Sequence, residues 1–226
     1  MLKIENCEVV GWEHAIRGMR NPMNSWRKSD SCWVADSEGR FTGIFEIGPN
    51  DYSLMKKLAK KGSVHAKYRR MITVCLDITA PLYWWKEFDT YKVGTVANSC
   101  STMHKIQAKE FTLDDFSHEH IKNFYGFTRI PNDHEIALFE NGFRNTIADL
   151  NAARELYLQT GDKQYWWQMI QLLPSSYNQK RTVMLNYEVL ANIYKSRRNH
   201  KLDEWHVMCD WIEQLPYSEL ITGNEE

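Results

Sequence analysis

The stretch Met71-Ile72-Thr73-Val74-Cys75-Leu76-Asp77-Ile78-Thr79-Ala80-Pro81 decides the class of fold. Aliphatic and β-branched residues follow one another until Asp77, the pattern of an interior strand over 71–78. Ala80-Pro81 then places a proline at a first helical turn, and Leu82 to Lys92 is expected to continue as helix. Just upstream, Pro49-Asn50-Asp51 opens a helix expected over Tyr52 to Lys61, which Gly62 stops. A buried strand held between two helices is the start of a mixed α and β architecture.

Further upstream the signals are shorter. Lys3 to Val10 reads as a strand, and Ser31 to Phe45, broken by Ser37-Glu38-Gly39, reads as a hairpin. Downstream, Asn132-Asp133-His134-Glu135 offers an Asn cap with Glu three residues on. Ile136, Phe139, Phe143, Ile147, Leu150 and Tyr157 then recur at helical steps until Gly161. That predicts a helix over 132–160 of about seven turns, long enough for a domain spine or an oligomer seam. Further helices are expected over Tyr165 to Leu173, Asn186 to Arg198 and Leu202 to Leu215, with a brief strand near Thr182 to Leu185. The expected class is α+β, a mixed sheet packed with helices and a helix-rich C-terminal half.

Composition narrows the function. The chain has 226 residues and a formal charge of 28 − 29 = −1, so bulk electrostatic capture of nucleic acid is not expected. No repeat or linker divides it, and a single domain over 1–226 is the expectation. Five scattered cysteines, none spaced as CxxC, suggest neither a disulfide framework nor a zinc site and fit a reducing cytoplasm. The N-terminus, Met1-Leu2-Lys3-Ile4-Glu5, reads as carrying no export signal, and no apolar run is long enough to span a membrane. Nine tryptophans, with pairs at 84–85 and 166–167, suit cores, subunit interfaces and ring-stacking sites.

GxGxxG, P-loop, HExxH and GxSxG patterns are all absent, which removes the usual support for dinucleotide dehydrogenases, P-loop NTPases and zincins. The eight histidines do not cluster at metal-ligand spacing, so no metal is expected.

Four constellations remain. Tyr91-Lys92-Val93-Gly94-Thr95-Val96-Ala97-Asn98-Ser99-Cys100-Ser101-Thr102-Met103-His104 is short on core material and rich in hydroxyls and backbone N–H groups suited to phosphate or a heterocycle. Its plain alternative is a surface loop. Asn186, Asn192 and Arg197 share one expected helix, with Asn186 and Arg197 nearly in line about 16 Å apart. A helix cap and a dipole partner would be the ordinary uses of such residues. Arg17-Gly18-Met19-Arg20-Asn21-Pro22-Met23-Asn24-Ser25-Trp26 offers two Arg around a proline turn, a phosphate grip or a solvated loop. Tyr83-Trp84-Trp85 offers a ring face for a flavin or base, or core packing.

Taken together these pieces resemble the flavin-dependent thymidylate synthase family, which uses FAD, a reduced nicotinamide and methylenetetrahydrofolate to methylate dUMP. His65 before the strand, Ala80-Pro81 before the helix, and Thr95, Asn98 and Ser101 echo the family's signature region. Leu173-Pro174, Asn186, Asn192 and Arg197 echo its later segment with matching spacing. The resemblance covers about residues 50–215. It implies that Arg197 is the catalytic cation that polarises the pyrimidine. It implies FAD held by His65, Lys92, Thr95, Asn98, Asn186 and Asn192, and nucleotide held by Glu87, Ser101 and Arg197, with NADPH as co-substrate. The family builds its sites between subunits of a homotetramer.

The chain departs from that pattern at several cations. Thr90, Tyr91 and Lys92 fall under the family's Arg-His-Arg, Met103 falls on a later Arg, and Glu188 and Ile170 occupy basic positions. Each lost charge-assisted contact to a phosphate removes on the order of 1.5–3 kcal/mol. Arg17, Arg20, Lys86 and Arg198 are candidates to replace them, the first two as substrate-binding residues. Two alternatives to a thymidylate-type synthase therefore stay open: a non-catalytic nucleotide- or partner-binding protein on the same fold, and a flavin or folate enzyme acting on a different base.

Overall fold

A computed structural model of the chain describes residues 2–121 and 133–223, with side chains from 142 onward in the second stretch. The elements run β1 (Lys3–Val10), α1 (Trp12–Arg20), β2 (Cys32–Ala35), β3 (Phe41–Glu46), α2 (Pro49–Lys60), β4 (Thr73–Pro81), α3 (Leu82–Phe88), β5 (Val96–Ser99), α4 (Asp133–Thr160), α5 (Lys163–Leu172), β6 (Asn178–Asn186), α6 (Tyr187–Arg197), α7 (Asp203–Glu213) and α8 (Glu219–Thr222). Short 3₁₀ turns fall at Asn21–Met23, Trp26–Lys28, Lys67–Met71 and Leu113–Asp115. The class is α+β, as the sequence led one to expect.

Strands β1, β4, β6 and β5 form a four-stranded sheet in that order, and β2 and β3 form an antiparallel hairpin. β4 is interior, with a neighbour on each side. One of its faces, Val74, Leu76, Ile78 and Ala80, is buried, while the other is half-buried. On that second face Asp77 accepts from Asn6 Nδ2 at 2.9 Å and from Thr182 Oγ1 at 2.7 Å, a polar bridge along the β1-β4-β6 row. A carboxylate in a strand is thereby tolerated because its lone pairs are used.

By contacts the chain divides into two compact units. One comprises residues 1–3, 78–90 and 98–181. In it, Phe143, Ile147, Leu150 and Tyr157 of α4 contribute to a cluster with Ile106, Phe111, Phe116, Ala153 and Met169. That is the expected α4 stripe, and α5 packs against it. Asn132, the expected cap, and the side chains of Ile136 and Phe139 lie outside the described residues. Ile170, at a position that is basic in the resembling family, packs against this cluster, so an apolar side chain suits it.

The other unit comprises residues 4–77, 91–97 and 182–226. Here α6 packs against α7, α8 and the 3₁₀ turn at 67–71, and α1 packs against the same turn. Tyr187, Leu190, Ile193, Trp205, Met208 and Ile212 are fully buried. Gly11 opens α1 at φ +95°, and a Cβ there would lie 2.1 Å from the Met71 carbonyl oxygen, so only glycine fits that approach.

Boundaries shift where polar residues conceal packing. α3 ends at Phe88 rather than continuing to Lys92, because the chain turns through Asp89 and Thr90, whose N–H groups bond to the Trp85 and Glu87 carbonyls. β6 begins at Asn178 rather than near Thr182. Gln179 in that added part is buried, with Nε2 donating to the Cys100 carbonyl at 2.8 Å and Oε1 accepting from Arg181 at 3.0 Å. Among the described residues, no helix is long and apolar enough to cross a membrane.

Candidate functional site

The site is built around α6, which leaves the sheet with no linker: β6 ends at Asn186 and the helix begins at Tyr187. Asn186 is the N-cap, its Oδ1 accepting from the backbone N–H groups of Glu188 and Val189 at 3.1 Å each. That satisfies two donors the first turn would otherwise leave open. The amide nitrogen of Asn186 meets the segment after α3, because a Cβ added to Gly94, at φ +82°, would lie 2.7 Å from it.

At the far end of α6, Arg197 donates from Nε to the Tyr91 hydroxyl at 3.0 Å. Its guanidinium lies 4.7 Å from the Trp205 ring centre and 5.7 Å from that of Tyr91, within reach of cation–π attraction. The segment 91–94 therefore touches both ends of α6, an 11-residue helix about 16 Å long. Asn186, Arg197 and the first residues of the polar segment after α3, 91–94, read separately from the sequence, belong to one surface. Lys92 is exposed on it, and Thr95 is half-buried with an Oγ1 that has no hydrogen-bond partner.

Beside α6 lies a cavity of about 490 Å³, lined by Gly62, Arg69, Glu188, Asn192, Lys195 and Arg198 among others. Glu188, Asn192 and Lys195 are spaced at i, i+4 and i+7, one face of the helix. Arg69, from the 3₁₀ turn, stands 3.5 Å from Glu188, and the two side chains are 9% and 10% exposed. The acidic residue in the first turn also suits the helix dipole. His65 is exposed in the loop after α2, its backbone N–H bonded to the Gly62 carbonyl. Arg198 is held by Asp210 at 2.8 Å and Glu213 at 3.2 Å.

Other expected residues are placed differently. Arg17 is exposed on α1. Arg20, expected to grip substrate, is 4% exposed and turned inward. Its Nε contacts Asp51 at 2.5 Å, and its other nitrogens donate to the Ser25 and Lys28 carbonyls. In the first unit, Glu87 is half-buried on α3, Asn98 is exposed on β5, and Ser101 Oγ accepts from the N–H groups of Met103 and His104, a local turn. Trp84 and Trp85 are buried at 0% and 1% exposure. Arg181 lies 4.2 Å over the Trp85 ring, whose Nε1 donates to the Gln179 carbonyl. These rings are core, with no face open for a flavin.

Arg69, Lys195 and Trp205 were not singled out from sequence, and Tyr91 was read only as part of the polar segment and as a replaced signature cation. The signal for Arg69 was its place in Tyr68-Arg69-Arg70, two adjacent cations directly before the buried strand. Among the described residues, no group of three His, Cys, Asp or Glu could hold a metal ion.

No family model and no curated protein matches this sequence. Among solved structures, the chain is similar to thymidylate synthase X from Helicobacter pylori, crystallised with FAD and dUMP. That match has 14% identity and a TM-score of 0.62 and covers 98% of this chain and 97% of that one. It is also similar to the UMP/dUMP methylase PolB from Streptomyces cacaoi bound with 5-Br UMP, at 11% identity and TM-score 0.62, covering 99% and 94%. With 5-Br dUMP, PolB gives 13% identity and TM-score 0.57 over 95% and 89%. The fold is that of the flavin-dependent thymidylate synthases, as the sequence motifs suggested.

Proposed function

We propose that this chain is a flavin-dependent enzyme that methylates a uridine nucleotide, dUMP to dTMP with methylenetetrahydrofolate and NADPH as co-substrates, or carries out a closely related nucleotide reaction. The observation that carries the reading is the near full-length likeness to proteins solved with FAD and dUMP or with uridine nucleotide analogues. Its local support is the convergence of Asn186, Gly94, Tyr91 and Arg197 on one surface.

The residues present fit FAD in one respect: the cavity wall holds a buried, incompletely bonded cation in Arg69. Asn186 and Asn192 would hold the isoalloxazine or adenine side, with His65, Lys92 and Thr95 along the rest. When bound and reduced, the flavin would supply hydride. Arg197, oriented by the Tyr91 hydroxyl, would hold the pyrimidine carbonyls and stabilise enolate-like charge as it develops. The exposed Arg17 would bind the nucleotide. The reading carries with it a homotetramer in a reducing cytoplasm, a setting that suits five free thiols.

A second reading, a nucleotide- or partner-binding protein without catalysis, is favoured by one observation: Lys92 is the sole Lys or Arg between residues 88 and 104. The absorbance spectrum of freshly purified protein separates the two. Oxidised-flavin bands, followed by dUMP-dependent tritium release, are expected for the synthase. Protein that stays colourless after soaking in FAD would overturn it.

A further inference from the structure

The cavity beside α6 holds more polar capacity than the fold uses. Nη1 of Arg69 and Oε2 of Glu188 are 3.5 Å apart, longer than the 2.7–2.9 Å usual for a charge-assisted hydrogen bond. Nε of Arg69 and Oε2 of Glu188 are both buried and have no hydrogen-bond partner. A buried ion pair repays its desolvation only when its remaining donors and acceptors are satisfied, and here they are not. Both residues line a cavity of about 490 Å³, a size suited to a small ligand.

The charges of that wall are asymmetric. Arg198 is already engaged by Asp210 and Glu213, so Arg69 and the exposed Lys195 are the cations left to a ligand. Glu188 opposes them, and it would repel a bare phosphate. It would welcome a hydroxyl, because a carboxylate accepts only. Along the helix, Glu188 and Lys195 are separated by about 10 Å, comparable to the span from a sugar hydroxyl to a distal phosphate.

We infer that this cavity is a sugar–phosphate subsite in which Arg69 and Lys195 take the phosphates and Glu188 accepts from a hydroxyl of the same ligand. The inference rests on the flavin-nucleotide reading and deepens it. The cation that position 188 does not supply is provided instead from the turn preceding β4, and the carboxylate at 188 becomes a filter for ligands that carry a sugar.

Calorimetric titration with ADP and with inorganic pyrophosphate tests it, alongside FAD binding followed by absorbance, on wild type, Arg69→Gln, Lys195→Gln and Glu188→Gln. Wild type is expected to bind ADP at least tenfold more tightly than pyrophosphate. Arg69→Gln and Lys195→Gln should each weaken ADP by about tenfold or more. Glu188→Gln should narrow the ADP-to-pyrophosphate ratio, a change that a merely structural role for Glu188 would not produce. Should Arg69→Gln fail to fold, the exposed Lys195→Gln and the ratio in Glu188→Gln decide.

Unchanged ADP affinity in Lys195→Gln, or an unchanged ratio in Glu188→Gln, overturns the subsite and leaves the flavin reading intact if FAD still binds. ADP binding with the expected losses but no FAD supports the subsite and overturns the flavin reading. Protein that binds neither ligand overturns both.

Discussion

Arg197 and Tyr91 lie 106 residues apart in sequence and are joined by a hydrogen bond of 3.0 Å from Nε to the phenolic oxygen. The contact orients a guanidinium that also rests on the Trp205 ring. A planar cation held on two aromatic neighbours has few rotamers left, which is the preorganisation an electrostatic catalyst needs.

Arg197→Ala should lower nucleotide-dependent flavin oxidation by about 10²–10³-fold while the melting temperature stays near that of wild type. Tyr91→Phe removes one hydrogen bond worth about 0.5–1.5 kcal/mol and should lower the rate by roughly tenfold or less. Stopped-flow absorbance of the flavin measures both. A Tyr91→Phe defect as deep as that of Arg197→Ala would mean that the hydroxyl acts on the substrate itself.

Gly94→Ala forces a Cβ into a left-handed residue and to 2.7 Å from the Asn186 amide nitrogen. The strain should destabilise the chain by about 1–3 kcal/mol, a fall in melting temperature of roughly 2–12 °C. Combining it with Asn186→Ser, which keeps a capping oxygen but shortens the side chain, should recover part of the loss. Thermal denaturation by circular dichroism gives the answer, and additive losses would refute the contact.

Asp51, 0% exposed, accepts from Ser29, Ser31, Arg20 and two backbone N–H groups. Burial alone would raise its pKa. The bonds from Ser29, Ser31 and Arg20 outweigh burial and lower it from the ordinary 3.8. Because the folded carboxyl titrates below the unfolded one, its contribution is fully present above about pH 4 and is lost as pH falls through the folded value. Asp51→Asn should lose about 3–5 kcal/mol at pH 7 by leaving Arg20 buried without its counter-charge. Urea denaturation from pH 7 to pH 3 should show the difference between wild type and variant shrinking on the acid side; a constant difference would contradict the assignment.

Leu150 is fully buried in the α4–α5 cluster. Leu150→Ala should cost about 2–5 kcal/mol, chiefly through the cavity left beside Phe116 and Met169. Urea denaturation at pH 7 checks it. A loss below 1 kcal/mol would mean that the cluster collapses around the gap.

What the sequence disclosed follows from where apolar residues could signal alone. β4, the described part of the α4 stripe and the Gly62 stop rest on patterning and chain geometry; β4 runs Thr73–Pro81 rather than 71–78, with Pro81 its last residue and the cap of α3 rather than part of a helical turn. α1 was hidden because it begins at a left-handed Gly11 with no side-chain cap, so Arg17 to Trp26 read as a loop around Pro22. The inward turn of Arg20 depends on Asp51, 31 residues away, a pairing no local pattern announces. For the site, Asn186 and Arg197 were visible as a helical pair, whereas Arg69 is joined to Glu188 only by folding. Buried polar residues with satisfied partners, Gln179 above all, look like loop until their partners are known.

Two strands feed helices without a spacer, β4 into α3 at Pro81–Leu82 and β6 into α6 at Asn186–Tyr187. The rotational phase of each helix is thereby geared to the register of its strand. One residue inserted at 186–187 would swing Asn192, Lys195 and Arg197 by about 100° and carry them off their present faces. Length variation is expected to be tolerated instead at the exposed hairpin tip around Ser37-Glu38-Gly39, where nothing downstream is indexed to the count.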